Sequence, residues 1–192
     1  MAERRQMAKL TSISTKGGDS GLSGLIDGVR LPKSAPIFEV LGDLDELNSW
    51  LGFALVTLPK ELPEQCVAVR NIQKNIYLLS ALLARADAKT VKLATGELDT
   101  LERNSLALQR SMQQNWTQKF VYPGGTESAA RLDIARTVCR RAERAIVAIS
   151  QQQHIPEIVL QYVNRLSDYL YVLRSFVNFH EGHDEALFDV SK

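Results

Sequence analysis

Arg136, Arg140 and Arg144 recur every four residues in the run Ala-Arg-Thr-Val-Cys-Arg-Arg-Ala-Glu-Arg, with Glu143 between the last two. On a helix this spacing sets three guanidinium forks on one face, with Asp133 and Glu143 beside them. Like charges placed so repel by about 0.2–0.5 kcal/mol per pair. A solvated, salt-bridged surface is the usual fate of a charge run. Three planar forks side by side also suit an anionic ligand or the carboxylates of a partner. Arg141 falls at the edge of the apolar stripe, where an unpaired charge is costly, so it is expected to have a partner.

A second group lies in residues 11–35. Gly17, Gly18, Gly21, Gly24 and Gly28 alternate with Thr15, Lys16, Asp19, Ser23, Arg30 and Lys33. Such a segment is most often a flexible arm. Glycines also let backbone N–H groups approach a phosphate, with Lys or Arg supplying charge. The spacing matches neither the Gly-x-x-x-x-Gly-Lys loop nor the Gly-x-Gly-x-x-Gly fingerprint. Asp43, Asp45 and Glu46 form an acidic group in the first half of the helix that begins at Pro36, the half where the dipole favours negative charge. Asn164 and Asp168 are four apart on another helix, a surface decoration or the wall of a site. His180 and His183 enclose a glycine where the last helix should end, which reads as a frayed polar tail rather than a metal site.

Five helical segments must position these groups. Val40, Leu44, Leu47, Leu51, Leu55 and Leu58 recur at helical spacing from Pro36 to Pro59. A second helix spans about 64–85, and a third carries Leu98, Leu101, Ser105, Leu108 and Met112. The fourth starts after Pro123-Gly124-Gly125, capped by Thr126 or Ser128, and carries the arginines opposite a stripe of Ile134, Val138, Ala142, Ala145 and Ile149. Pro156 suits the first turn of the fifth. No segment alternates convincingly with period two, so the expected fold is an all-α five-helix bundle behind a glycine-rich N-terminal loop. The expected organisation is a tail (1–10), the bundle domain (11–180, with 11–35 as its glycine-rich loop) and a C-terminal tail (181–192).

The chain has 192 residues, enough for one domain with a substantial core. A net charge of +1 offers no general attraction to nucleic acid or membrane, so an anion site must be local. Two cysteines, Cys66 and Cys139, are too few for a disulfide framework and fit a reducing cytoplasm. No Ser, Cys or His constellation suggests a protein nucleophile.

Four stretches, in order, resemble the PduO-type ATP:cob(I)alamin adenosyltransferases. They are residues 15–33; Asp-Glu-Leu-Asn-Ser at 45–49; Pro-Gly-Gly-Thr with the arginine run at 123–144; and Asn-Arg-Leu-Ser-Asp-Tyr-Leu at 164–170. The resemblance implies a homotrimer with sites between subunits. It implies transfer of the 5′-deoxyadenosyl group of ATP to the cobalt of cob(I)alamin, giving adenosylcobalamin and triphosphate. Cob(I)alamin would be the nucleophile, leaving orientation and charge stabilisation to the protein. A weak nucleotide- or corrinoid-binding module, acting as carrier or sensor, is the alternative. A helical interaction protein whose arginines serve only trimer contacts is a third.

By the same resemblance, Thr15, Lys16, Gly18, Asp19, Gly21, Arg30 and Lys33 would hold the triphosphate with Mg2+, without a dedicated protein metal site. Arg136 and Arg140 would contact ATP, with Arg136 also facing Asp45 of a neighbouring subunit. Glu143 and Asn164 would contact the nucleotide. Phe120 would occupy the lower corrin face and keep the axial base away, easing reduction of Co(II) to Co(I). A reductase or a cobalamin-dependent acceptor enzyme is an implied partner. Gly17, Ser14, Asp43 and Asp133 depart from the residues common in the family, Asp133 standing where a His is frequent.

Overall fold

Prolines set two of the helix starts. Pro36 opens α1 (Pro36–Leu55) and Pro63 opens α2 (Pro63–Leu83), where a missing N–H leaves no helical bond unmade. The helices α3 (Thr95–Met112), α4 (Glu127–Ser150) and α5 (Glu157–His180) complete the five expected. The computed structural model describes residues 16–85, 87, 89–113 and 120–188. The N-terminal tail and Thr15 lie outside the described residues. Among the described residues no helix is long and apolar enough to cross a membrane.

Helix α4 is the centre of the bundle. It packs on α1 along one side and α5 along the other, while α2 lies against α1 and α3 against α5. Two packed sides require a wide buried face, and Ala129, Leu132, Ala135, Cys139, Ala142 and Ile146 are all fully buried. They meet Leu44, Leu47 and Leu51 of α1 and Val163, Leu166 and Leu170 of α5 in one core. Burying each leucine contributes about 1.5–3 kcal/mol.

The width of that face changes two assignments made from periodicity. Ile134, placed in the apolar stripe, is 39% exposed. Asp133, placed on the polar side, is buried because α5 approaches there and brings Arg174 to it.

The glycine-rich arm contains a short hairpin that the sequence did not disclose. Strands β1 (Leu22–Gly24) and β2 (Arg30–Pro32) pair antiparallel with Ser23 opposite Leu31. Three-residue strands are too short for an alternation signal. The hairpin tip is fastened to the end of α2. Leu25 is buried, the Ile26 N–H donates to the Ala84 carbonyl at 3.0 Å, and Arg85 reaches Asp27 at 3.5 Å.

The end of α5 also differs from expectation. Gly182, at φ +69°, and His183 donate their N–H groups to Phe179 and Asn178 carbonyls at 3.1 and 2.8 Å, a glycine-dependent helix stop. The His180 to His183 stretch is therefore a built terminus rather than a frayed one. Residues 183–188 then run back to the 120–122 segment, where Val121 bridges Leu187.

The turn before α4 is held by Asn178, which is fully buried. Its Oδ1 accepts the Thr126 N–H at 2.9 Å and its Nδ2 donates to the Gly124 carbonyl at 3.1 Å. Gly125 has φ +104°, and a Cβ there would stand 2.3 Å from the Asn178 amide. Gly125→Ala is expected to destabilise by ~3 kcal/mol, a fall in Tm of about 10 °C. A melting curve within about 2 °C of the parent would show that Asn178 moves aside freely.

Candidate active site

The arginine helix begins at Thr126, whose side chain accepts the Ala129 N–H at 3.4 Å. Ser128, the other candidate cap, instead donates to the Thr57 carbonyl at 2.6 Å and ties α4 to the end of α1. From this start the helix delivers its basic side chains to two different clefts.

On the α1 side, Arg141 has the partners expected of it. Its Nε donates to Asp43 Oδ1 at 2.9 Å and its Nη2 donates to Glu46. Arg144, grouped with Arg136 and Arg140 by spacing, lines this α1-side cleft with Arg141, Glu39 and Asp43. The three-arginine face of the sequence reading thus divides, because α4 is packed on both flanks.

On the α5 side, Arg136 and Arg140 line a cleft of about 600 Å³ together with Phe120, Asp168 and Tyr171. That volume is in the range of small-molecule sites. Arg136 is half-buried and its Nε donates to Asp133 Oδ1 at 3.1 Å. Arg140 is exposed and forms no ion pair among the described residues. Phe120 is 82% exposed at the cleft wall. Partial burial lifts the Asp168 carboxyl above the usual carboxylate range, against the opposing pull of Arg165. A cleft with two guanidinium groups, an exposed aromatic ring and one flanking carboxyl can take an anionic group beside a flat apolar one.

Glu143 and Asn164 are brought together one turn further along, where Asn164 Nδ2 donates to Glu143 Oε1 at 2.8 Å. Arg165 donates to Asn164 Oδ1 at 2.9 Å and to Glu102 Oε1 at 2.8 Å, fixing this edge against α3.

The arm gathers its own candidates into one compact turn. Arg30 Nη2 donates to the Gly17 and Leu22 carbonyls, and the Lys33 N–H donates to the Gly21 carbonyl at 2.8 Å. The Lys33 ammonium lies against Gly18, where a Cβ would come within 2.9 Å of Nζ. Asp19 donates its N–H to the Lys16 carbonyl at 3.3 Å. The tethers that fasten this arm run to α2, so Lys16, Gly18, Asp19, Gly21, Arg30 and Lys33 are assembled with one another. Asp45 is exposed on α1, and no ion pair within the subunit engages it among the described residues.

A family model described as cobalamin adenosyltransferase matches residues 13–177. The chain belongs to the cobalamin adenosyltransferase family. It is 38% identical over 182 residues to a cobalamin adenosyltransferase of Cupriavidus metallidurans, covering 93% of this chain and 95% of that one. It is 36% identical over 180 residues to a corrinoid adenosyltransferase of Bacillus subtilis, covering 92% of each. A PduO-type ATP:corrinoid adenosyltransferase from Lactobacillus reuteri, solved as a phenylalanine-to-histidine variant with cobalamin and ATP, superposes with a TM-score of 0.87. That match is 30% identical and covers 93% of this chain and 97% of the other.

Sequence reasoning missed a buried polar cluster behind the cleft. Arg174 of α5 is 1% exposed and contacts Asp133 at 3.2 Å, Glu185 at 2.7 Å and the Gly124 carbonyl at 2.8 Å. Asp133 Oδ2 also accepts the Gly124 N–H at 3.1 Å. The available signal was a lone arginine within the apolar run Tyr-Val-Leu-Arg-Ser-Phe-Val of α5. Cys139, fully buried in the core against the Val163 carbonyl, has its thiol pushed above the usual range by that burial, the setting of a structural rather than a reactive cysteine.

Proposed function

We propose that this adenosyltransferase moves the 5′-deoxyadenosyl group of ATP onto the cobalt of cob(I)alamin, with Arg136, Arg140 and Phe120 acting in the α5-side cleft. The observation that carries this reading is the meeting of two guanidinium groups with an exposed aromatic ring in one cleft of small-molecule size. The cobalt lone pair of cob(I)alamin attacks the ribose C5′ and the C5′–O bond breaks. Triphosphate leaves with the bond's electrons, and cobalt passes from Co(I) to Co(III). The Lactobacillus reuteri relative was crystallised with both ATP and cobalamin, which supports the two-substrate assignment.

The triphosphate falls to the arm, where Lys16, Arg30 and Lys33 supply charge and Gly18 and Gly21 allow close backbone approach. Thr15 belongs to this group by resemblance. Among the described residues no cluster of three or more metal-ligating side chains occurs. A magnesium ion carried mainly by phosphate oxygens and water, with Asp19 near, suits such a site. Arg136 and Arg140 neutralise developing charge on the leaving group. Glu143 and Asn164 hold the nucleoside edge. Phe120 covers the lower corrin face.

The arm is fastened to α2 and the two arginines line the α5-side cleft, and the family resemblance assigns both to one nucleotide held between copies of the chain. A homotrimer with sites between subunits fits that assignment, with Asp45 of one subunit taking Arg136 of the next. Asp45→Ala is then expected to lower kcat/KM on the order of tenfold and weaken assembly. An intact oligomer with full activity, seen by sedimentation and rate assay, would leave Asp45 as a surface acid in the middle of α1. The free thiols Cys66 and Cys139 suit a cytoplasmic setting, and a reductase supplying cob(I)alamin is the partner the chemistry requires.

Separate titrations of ATP and cob(II)alamin, followed by turnover, test the reading. Binding of both with product formation supports the enzyme. Binding without product favours a carrier or sensor.

A further inference from the structure

Phe120 is almost fully exposed, so packing does not fix it. Its backbone is fixed instead by the far end of the chain. The Phe120 carbonyl accepts the Phe188 N–H at 2.8 Å, and the Tyr122 N–H donates to the Ala186 carbonyl at 2.8 Å. The rings of Tyr122 and Phe188 meet edge to face with centroids 5.8 Å apart.

The 183–188 segment has little apolar burial of its own. Leu187 and Phe188 are 45% and 48% exposed. Its anchor is Glu185, whose Oε1 and Oε2 accept Arg174 Nη1 at 2.8 and 2.7 Å, with Asn178 Nδ2 at 3.3 Å from Oε1. A guanidinium as buried as that of Arg174 requires counter-charge. Asp133 supplies only part of it, because Asp133 is shared with Arg136. Glu185 completes a set of two cations and two anions, so the segment is drawn to one place by an electrostatic need of the core.

We propose that Glu185 is a positioning residue for Phe120: its ion pair with buried Arg174 pins the 183–188 segment, which sets the backbone from which Phe120 enters the cleft. The proposal rests on the reading of Phe120 as the aromatic that covers the lower corrin face. On that reading Glu185 acts on the cob(II)alamin form, whose axial base must be displaced before reduction. It has no part in ATP binding. Cob(I)alamin prepared with a strong reductant has already shed its axial base and bypasses the step.

The test uses the full-length protein with Glu185→Gln, Glu185→Asp and Phe188→Pro, beside Phe120→Ala as reference. With ATP bound, Glu185→Gln should reduce the base-free cob(II)alamin signal in absorption and magnetic circular dichroism several-fold. Its rate from cob(II)alamin with a reduced flavin should fall on the order of tenfold. ATP affinity and the rate from pre-reduced cob(I)alamin should stay within about twofold. Glu185→Asp, which keeps the charge, should restore most of the signal. Phe188→Pro, which removes the N–H donor to Phe120, should reproduce the loss. A parental cobalt spectrum in Glu185→Gln, with the signal lost in Phe120→Ala, would overturn the proposal and leave the Phe120 reading standing. Parental spectra in both would overturn that reading and the proposal with it. Equal losses in ATP affinity, the cob(I)alamin rate and the cob(II)alamin rate would also overturn it, since Glu185 would then serve only the fold.

Discussion

Arg140→Ala is expected to lower kcat/KM for adenosyl transfer by on the order of 100-fold or more, ~2.7 kcal/mol at the transition state. The side chain is exposed, lines the cleft and is not spent on an ion pair among the described residues, so it is available to a ligand. For the same reason its removal should leave the fold intact, with Tm within about 2 °C of the parent. Arg140→Lys should recover only part of the rate, because an ammonium keeps the charge but not the planar pair of donors. Steady-state rates at saturating cob(I)alamin and varied ATP, beside a melting curve, separate the two effects. A rate within about twofold of the parent would place Arg140 outside the chemistry. Arg136 is the less clean probe, since its loss also removes one of the two guanidinium groups that hold the buried Asp133.

Phe120→Ala is the second large effect. ATP affinity should be unchanged, because the ring has no polar group to offer a nucleotide phosphate. The base-free cob(II)alamin species should disappear from the absorption or magnetic resonance spectrum. The rate from cob(II)alamin should then fall by at least about 100-fold, if exclusion of the axial base is the ring's main task. An unchanged cobalt spectrum would sink the role assigned to Phe120.

How much of this was legible in the chain depended on whether the deciding interaction was local. Arg141 is the instructive success. Its place at the edge of an apolar stripe led to a partner being expected, and Asp43 and Glu46 supply it, although the side chain is 44% exposed and burial does not force the pair. Helix starts at Pro36 and Thr126 were readable because proline and capping chemistry act within a few residues.

Asp133 shows where periodicity fails. A helical wheel assigns one polar face, yet α4 is sandwiched, so which of its polar residues turn inward is decided by what α5 and α1 bring. For Asp133 that is Arg174, 41 positions further along the chain. The hairpin of the arm is equally non-local, since its short strands are held by the tip's attachment to the end of α2.

Glu185 and the return of the C-terminal segment were invisible for a further reason. Their sequence, three polar residues followed by Ala186-Leu187-Phe188, is too short for a periodic pattern, and the buried Arg174 gives it a destination. The Phe120 position came from resemblance, whereas what fixes Phe120 is read from the structure. The arginine run supplied candidates, and the fold separated Arg136 and Arg140, which share the α5-side cleft, from Arg141 and Arg144, which face α1.

The most direct test of the central claim is product analysis after mixing purified protein, ATP, magnesium and chemically reduced cob(I)alamin in the dark without oxygen. The account predicts a light-sensitive cobalt–carbon product whose spectrum is that of adenosylcobalamin, formed one-for-one with inorganic triphosphate. Cob(I)alamin that remains unalkylated, or release of phosphate and diphosphate with no cobalt–carbon bond, would contradict it.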